Sequence, residues 1–212
     1  MLLEPFTASL DMNIGAVSAG NSNPTADFDL TNDDILALTD GTNPAFLSIT
    51  IGRSDSSGTV TVSASKFYDP LTIQAPSAGG HLSVDGTLTG ADDASIHLKG
   101  PGATTTLNAD IITAGTAITI DDAVEIGAST VTLNTTDGGI TAANNISIKK
   151  VAGVGGTIDS NGGPNSQTFN AGTAGADRPH RFVGDDEPVV RPQRDALQRG
   201  LQLADEHVIF LV

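Results

Sequence analysis

Aliphatic residues return along this chain at a fixed step, and that return limits the folds open to it more than any other feature. Ile49, Val60, Leu71 and Leu82 stand eleven apart, as do Ile51, Val62, Ile73 and Val84. After a phase shift, Ile96, Leu107 and Ile118 resume the step, and Ile96 and Leu98 return as Ile118 and Ile120 twenty-two residues on. Val124 and Ile126 are matched at the same distance by Ile146 and Ile148, and Ile118 by Ile140. A period near twenty points to a solenoid before any other fold, because each unit leaves its apolar face for the next to cover. Within a unit the aliphatic residues come as i, i+2 pairs with Thr, Ser or Asn between them, the alternation of a strand with one face inward. A flat β-sandwich also carries turn signals about every 8–12 residues. It does not by itself explain columns held at a twenty-two-residue repeat.

The alternation predicts short strands at 47–51, 59–63, 71–74, 82–84, 86–89, 95–99, 105–108, 117–120, 123–127, 130–134 and 146–148, with Gly, Asn, Asp, Pro or Ser between them. Residues 1–30 read as polar and turn-rich. A short helix is expected next, with Thr31 or Asn32 as cap, Asp33 and Asp34 in its first turn and Gly41 as its stop. Three regions follow: a lead-in or capping segment over 1–45, the repeat region over 46–173, and an atypical Arg- and Pro-containing tail over 174–212. Five of the six arginines lie between Arg178 and Arg199, and residues 193–206 could form a short helix. Two origins of the tail stay open, a shifted reading frame or unrelated join, and a natural cap or linker.

Composition agrees with a thin core. Aromatics are 4% of the chain, Trp is absent, and 24 of its 212 residues are Gly. Such a chain lacks the large side chains of a thick globular core and suits β-branched strands with frequent turns. The net charge is -15, which leaves no basic footprint for nucleic acid. Acid is nearly all Asp, with Glu only at Glu4, Glu125, Glu187 and Glu206, so the charge falls mainly in turns. No apolar run approaches the roughly 18 residues of a membrane-spanning helix. The start, Met1–Phe6, lacks the basic and apolar regions of a signal peptide, which favours an internal fragment of a longer protein. Cysteine is absent, which is compatible with export.

The stretch from Ser48 to Val62, followed by Tyr68-Asp69-Pro70-Leu71-Thr72-Ile73-Gln74-Ala75-Pro76, is one carrier of a family likeness. Leu107–Ile111, Ala117–Ile120, Thr130–Thr135 and Thr168–Thr173 are others. Together these resemble the repeat regions of filamentous-haemagglutinin-like giant bacterial surface proteins, over roughly residues 10–173. The resemblance implies an all-β fold, a right-handed parallel β-helix of about 20–22 residues per winding, and right-handedness agrees with the general crossover rule. It further implies export to the cell surface, a structural or adhesive role, surface glycans or proteins of a host or neighbouring cell as partners, and flanking repeats of the same larger protein. It offers no catalytic residues, and the amino-terminal secretion domain of that family is not recognisable here.

Candidate sites are few. Asp27, Asp29, Asp33 and Asp34 partly follow a calcium-loop spacing, but Asn32 stands where the sharp turn needs Gly and Leu38 where a closing Glu belongs. Helix capping and solvated charge account for them better. Asp92-Asp93 and Asp121-Asp122 could hold calcium between stacked turns, against the plainer role of turn residues. No cofactor is expected, and calcium is the one ion these aspartates could recruit. The main enzymatic rival is a polysaccharide lyase, which needs an acidic calcium cluster beside a base. Residues 1–175 offer only Arg53, Lys66, Lys99, Lys149 and Lys150 against 18 acids, with no visible convergence and a charge that repels acidic polymers. His81 and His97 lie sixteen apart, off the repeat, and are expected to point outward rather than form a metal pair. Thr59-Val60-Thr61, Thr87-Leu88-Thr89 and Thr104-Thr105-Thr106 resemble ice-binding arrays but read more simply as outward strand residues. Gly153-Val154-Gly155-Gly156 lacks the strand–helix context of a phosphate loop. An isolated solenoid segment also has open sheet edges at both ends, so self-association is expected unless the lead-in and tail cover them.

Overall fold

The computed structural model describes residues 1–16, 27–38, 46–74, 80–137, 144–151, 154–155, 158–160, 165–171 and 201–202. Three strands precede the helix: β1 (Leu2–Leu3), β2 (Asp11–Ala16) and β3 (Asp27–Thr31), then α1 (Asn32–Ala37). Next come β4 (Ile49–Ile51), β5 (Thr59–Val62), β6 (Ser65–Phe67), β7 (Leu71–Gln74), β8 (His81–Val84) and β9 (Leu88–Gly90). Two long strands, β10 (Ile96–Leu107) and β12 (Ile118–Ile126), flank β11 (Ile111–Thr113). Then follow β13 (Thr130–Asn134), β14 (Ile146–Ile148), β15 (Lys150–Val151), β16 (Val154–Gly155), β17 (Ile158–Ser160), β18 (Ser166–Asn170) and β19 (Leu201–Gln202).

These strands make a strongly curled eleven-stranded sheet, a second sheet of six strands and a two-stranded sheet. Every pairing in the large sheet is parallel. The second sheet is parallel from β6 to β18 and ends in an antiparallel pairing of β18 with β19. Parallel neighbours need a long crossover between them, and from β4 to β14 each crossover contains a strand of another ladder.

Three ladders carry the core. In the first, Ile49, Leu71, Ile96, Ile118 and Ile146 lie opposite one another in turn. In the second, Met12, Val60, Leu82, Thr105, Val124 and Ile158 do so. The third runs Ser65, Leu88, Ile111, Leu133, Phe169. Inward residues of β4, β5 and β7 alternate with half-exposed Thr or Gln, so the period-two pattern of the sequence is the pattern of burial. Each fully buried Ile, Leu or Val removes apolar surface worth about 1.5–3 kcal/mol from water.

The eleven-residue step of the sequence is thus two interleaved twenty-two-residue steps: Ile49 pairs with Leu71, and Val60 with Leu82. Further along one expectation fails. Val124 lies opposite Ile158, and Ile146 opposite Ile118, so the match of Val124 to Ile146 is wrong. Facing residues that stand 22 apart at Ile49–Leu71 and Ile96–Ile118 stand 28 apart at Ile118–Ile146 and 34 apart at Val124–Ile158, so chain inserted after β12 carries the register past one repeat. Ile140 falls outside the described residues.

The first and second ladders are joined at a corner of varying length. Seven residues, 52–58, separate β4 from β5, and six, 75–80, separate β7 from β8. In β10 the register breaks between Lys99 and Thr104, leaving four residues, 100–103, at the corner. In β12 it is crossed by Asp122 alone, since Asp121 faces Lys99 and Ala123 faces Thr104. This is why two predicted strand pairs, 95–99 with 105–108 and 117–120 with 123–127, are single strands β10 and β12.

The lead-in is not separate from the sheets. β1 extends the first ladder beyond β4, while β2 and β3 extend the second beyond β5. Their strands were masked in the sequence by short length and by Asp and Asn at outward positions. α1 packs on β2, β3 and β6 and buries Ile35, 2% exposed. Thr31 and Asp34 form a capping box: the Thr31 hydroxyl accepts from the Asp34 amide at 3.2 Å, and the Asp34 carboxylate accepts from the Thr31 amide at 3.0 Å. Asn32 Nδ2 donates to the carbonyls of Gly15 and Ala64, tying the helix to the strands beneath. The helix stops at Ala37 with Leu38 as its cap, before Gly41 is reached. Within the tail, Leu201 and Gln202 are strand rather than helix, paired to Gln167 and Ser166. The rest of 174–212 lies outside the described residues.

Candidate functional site

The polar groups that strand pairing brings together fall on two faces of the large sheet. On the outer face they link neighbouring strands. Asn13 Nδ2 donates to Asp29 Oδ1 at 2.8 Å, directly across β2 and β3. Asn108 Nδ2 donates to Asp85 Oδ1 at 2.8 Å and to Ser83 Oγ at 3.2 Å, and the Ser83 hydroxyl donates to Asp85 as well. His81 Nε2 meets Thr106 Oγ1 at 3.0 Å. His97 Nε2 lies 2.7 Å from Asp121 Oδ2, and because a carboxylate only accepts, the imidazole N–H donates.

The two histidines occupy different ladders. His81 faces Thr59 and Thr104, while His97 faces Thr72 and Thr119. Both are half-buried at outward positions, in line with the expectation from their spacing.

The inner face holds what the sequence hid. β12 alternates without a break from Ile118 to Ile126, so Asp122 stands in the inward column between Ile120 and Val124 and is 1% exposed. Its Oδ1 accepts from the Ala123 amide at 2.8 Å and its Oδ2 from Thr105 Oγ1 at 3.1 Å. Thr105 is itself 0% exposed, so the central residue of the Thr104-Thr105-Thr106 run points inward, against the expectation of an outward array. Burial pushes the Asp122 carboxyl up to about 6, and the two hydrogen bonds pull it only partly back. The signal was legible: continuing the alternation through 121 and 122 instead of ending a strand there places Asp122 inside.

The other predicted aspartates are spread over the molecule. The Asp27 backbone lies opposite Asp11 at the start of β3, and Asp29 is held by Asn13. Asp33 is exposed in the first turn of α1, and Asp34 belongs to its capping box. Asp92 and Asp93 form the turn after β9, with Asp92 at a φ of 56°. The carboxyl of Asp93 is raised, by burial first and then by the charges of Asp92 and Asp69. Asp69 therefore lies near Asp93. Asp69 is 0% exposed; its Oδ1 accepts from the Phe46 amide at 3.0 Å, while its Oδ2 has no hydrogen-bond partner among the described residues. Among the described residues no group of three His, Cys, Asp or Glu side chains is placed to hold a metal ion. Also among them, no helix is long and apolar enough to cross a membrane.

Lys66, Lys99 and Lys149 do not converge on these acids: Lys66 lies over the Tyr68 ring at 5.0 Å, and Lys99 and Lys149 are exposed. Arg53 pairs with Asp55 at 2.7 Å. Lys150 lies in β15, and Val154-Gly155 in β16, opposite it. Scanned against protein-family models, curated proteins and solved structures, the chain matches none of them.

Proposed function

We propose that this chain is a length of right-handed parallel β-helix serving as a rigid structural or adhesive stalk in a secreted or cell-surface bacterial protein, without catalysis of its own. The observation that carries this reading is the persistence of the ladders: in Ile49–Leu71–Ile96–Ile118, Val60–Leu82–Thr105–Val124 and Ser65–Leu88–Ile111–Leu133 each residue faces the next about one repeat later. Three strand stations revisited in the same order are what a winding backbone produces, and parallel crossovers are right-handed in nearly all proteins. Neighbouring windings then lie about 4.8 Å apart, and their shared hydrogen bonds resist bending. The outer face offers Thr, Ser, Asn, Asp and His to solvent, a surface fitted to polar partners such as cell-surface glycans or proteins. Antibodies against the chain, applied to intact and to permeabilised cells of the producing bacterium, test the location; labelling of intact cells is expected, and labelling only after permeabilisation overturns it. A panel of acidic polysaccharides with and without calcium tests the role; turnover that chelation abolishes would replace the stalk with a lyase.

A further inference from the structure

Asp122 occupies an inward position of β12, buried between Ile120 and Val124, and faces no residue of β10 in the register. It is also the only residue that β12 spends on the corner, where β10 spends four. With no spare chain, its carboxyl cannot turn to water unless the strand gives up its alternation on one side. Its partners are the Ala123 amide and the Thr105 hydroxyl of β10, so it ties the two long strands together at the corner they share. We propose that Asp122 makes this corner a proton-operated latch, holding β10 and β12 together more firmly in mildly acidic medium than in neutral medium.

The chemistry follows from what each form needs. An ionised carboxylate has about four acceptor sites, and this one meets two donors while enclosed, so much of its lost hydration is not replaced. The protonated carboxyl keeps the Ala123 amide on one oxygen and donates its own O–H to Thr105 Oγ1, which accepts as readily as it donates. Both hydrogen bonds persist in the two forms and are stronger to the carboxylate, but not enough to offset the enclosed charge.

The titratable groups on the strands packed around this corner are His81 on β8, His97 and Lys99 on β10, Asp121 and Glu125 on β12, Lys149 just past β14, Asp159 on β17 and Lys150 on β15. His97, Asp121 and Glu125 occupy the outward positions of their strands, and Lys99, Lys149 and Asp159 are exposed. The shift of Asp122 has burial as its one raising cause, with no charged neighbour contributing. The folded value, about 6, lies above the ordinary 3.8. The penalty is therefore complete above pH 6, fades as pH falls toward 3.8, and is gone below it.

The test uses the full chain. Carbon-13 NMR follows the Asp122 carboxyl through a pH titration, and denaturant unfolding is measured at pH 4.5 and 7.5 for the wild type and for Asp122→Asn. A midpoint near 6 is expected. The wild-type unfolding constant should be roughly 10- to 100-fold lower at pH 4.5 than at 7.5, after the change seen in Asp122→Asn is divided out, since one pKa unit is a factor of about ten. General repulsion from the acidic surface acts on both proteins and cancels in that ratio. A midpoint near the ordinary aspartate value, or equal pH responses in the two proteins, would overturn the latch. Should Asp122→Asn fail to fold, Thr105→Val decides: losing the hydroxyl should move the midpoint upward, and an unmoved midpoint rejects the pairing.

Discussion

His97 Nε2 stands 2.7 Å from Asp121 Oδ2, although the residue facing His97 across the ladder is Thr119. The pair is diagonal, reaching two residues along the neighbouring strand on the outer face, and both side chains are partly sheltered, 34% and 15% exposed. Cross-strand pairs of this kind contribute little singly and help fix register. A double-mutant cycle of His97→Ala and Asp121→Ala should give a coupling of about 0.5–1 kcal/mol that weakens in high salt. A coupling indistinguishable from zero at low salt would mean the contact is incidental.

Ile118 lies between Ile96 and Ile146 in the first ladder and is 0% exposed, whereas Thr119 beside it points outward. Ile118→Ala should cost about 2–5 kcal/mol in urea unfolding, through lost burial and the cavity left behind. Thr119→Ala should stay within about 0.5 kcal/mol. Equal losses would contradict the alternation of inward and outward residues along β12.

Gln167 faces Val131 across β18 and β13, is 0% exposed, and neither its amide nitrogen nor its amide oxygen has a hydrogen-bond partner. An enclosed, unpaired amide costs about 1–3 kcal/mol. Gln167→Val replaces it with the residue type of its ladder neighbour and should raise the denaturation midpoint by a corresponding amount. A lowered midpoint would show that the amide has a partner or a packing role that valine cannot fill.

Gly52 turns the chain out of β4 at a φ of +100°, and a side-chain carbon there would lie 2.5 Å from the Gln74 carbonyl oxygen of the next strand. Gly52→Ala should cost at least about 1–3 kcal/mol, from backbone strain together with that collision. Its effect should appear in unfolding experiments as a lower midpoint with an unchanged slope.

Asp34 and Asp55 act in the opposite direction to Asp122. Both carboxyls sit below their ordinary 3.8, held down first by hydrogen bonds from Thr31 and from Arg53 respectively. A depressed folded value gives stability that is present above 3.8 and lost as pH falls through the lower folded value. Together with the opposite sign of Asp122, a plot of stability against pH should rise from neutral toward about 4 and fall below it. Thr31→Ala should soften the fall by removing one of the two pairs, and a curve that falls steadily from neutral pH would contradict both signs.

Much of the ladder pattern was open to direct reading. Period-two alternation and the twenty-two-residue step identified Ile49 with Leu71 and Ile96 with Ile118, because a repeated hydrophobic face has to be buried by its own neighbours. The helix start was equally legible, since Thr31 and Asp34 satisfy each other's backbone within four residues. β1, β2, β3, β6, β11, β15, β16 and β17 were missed because strands of two to six residues carry too few alternations to stand out by themselves.

By itself the sequence determined which faces are apolar, where turns interrupt them, and that successive repeats must cover one another. Those are local properties of side chains and of the backbone. Only the tertiary structure decided that Val124 meets Ile158, that the corner at Asp122 is a single residue long, and that the Thr105 hydroxyl is the group that meets Asp122 there. Pairing between strands is settled by the summed length of everything lying between them. One insertion in a connection moves every later partner, while the local pattern on each strand stays the same.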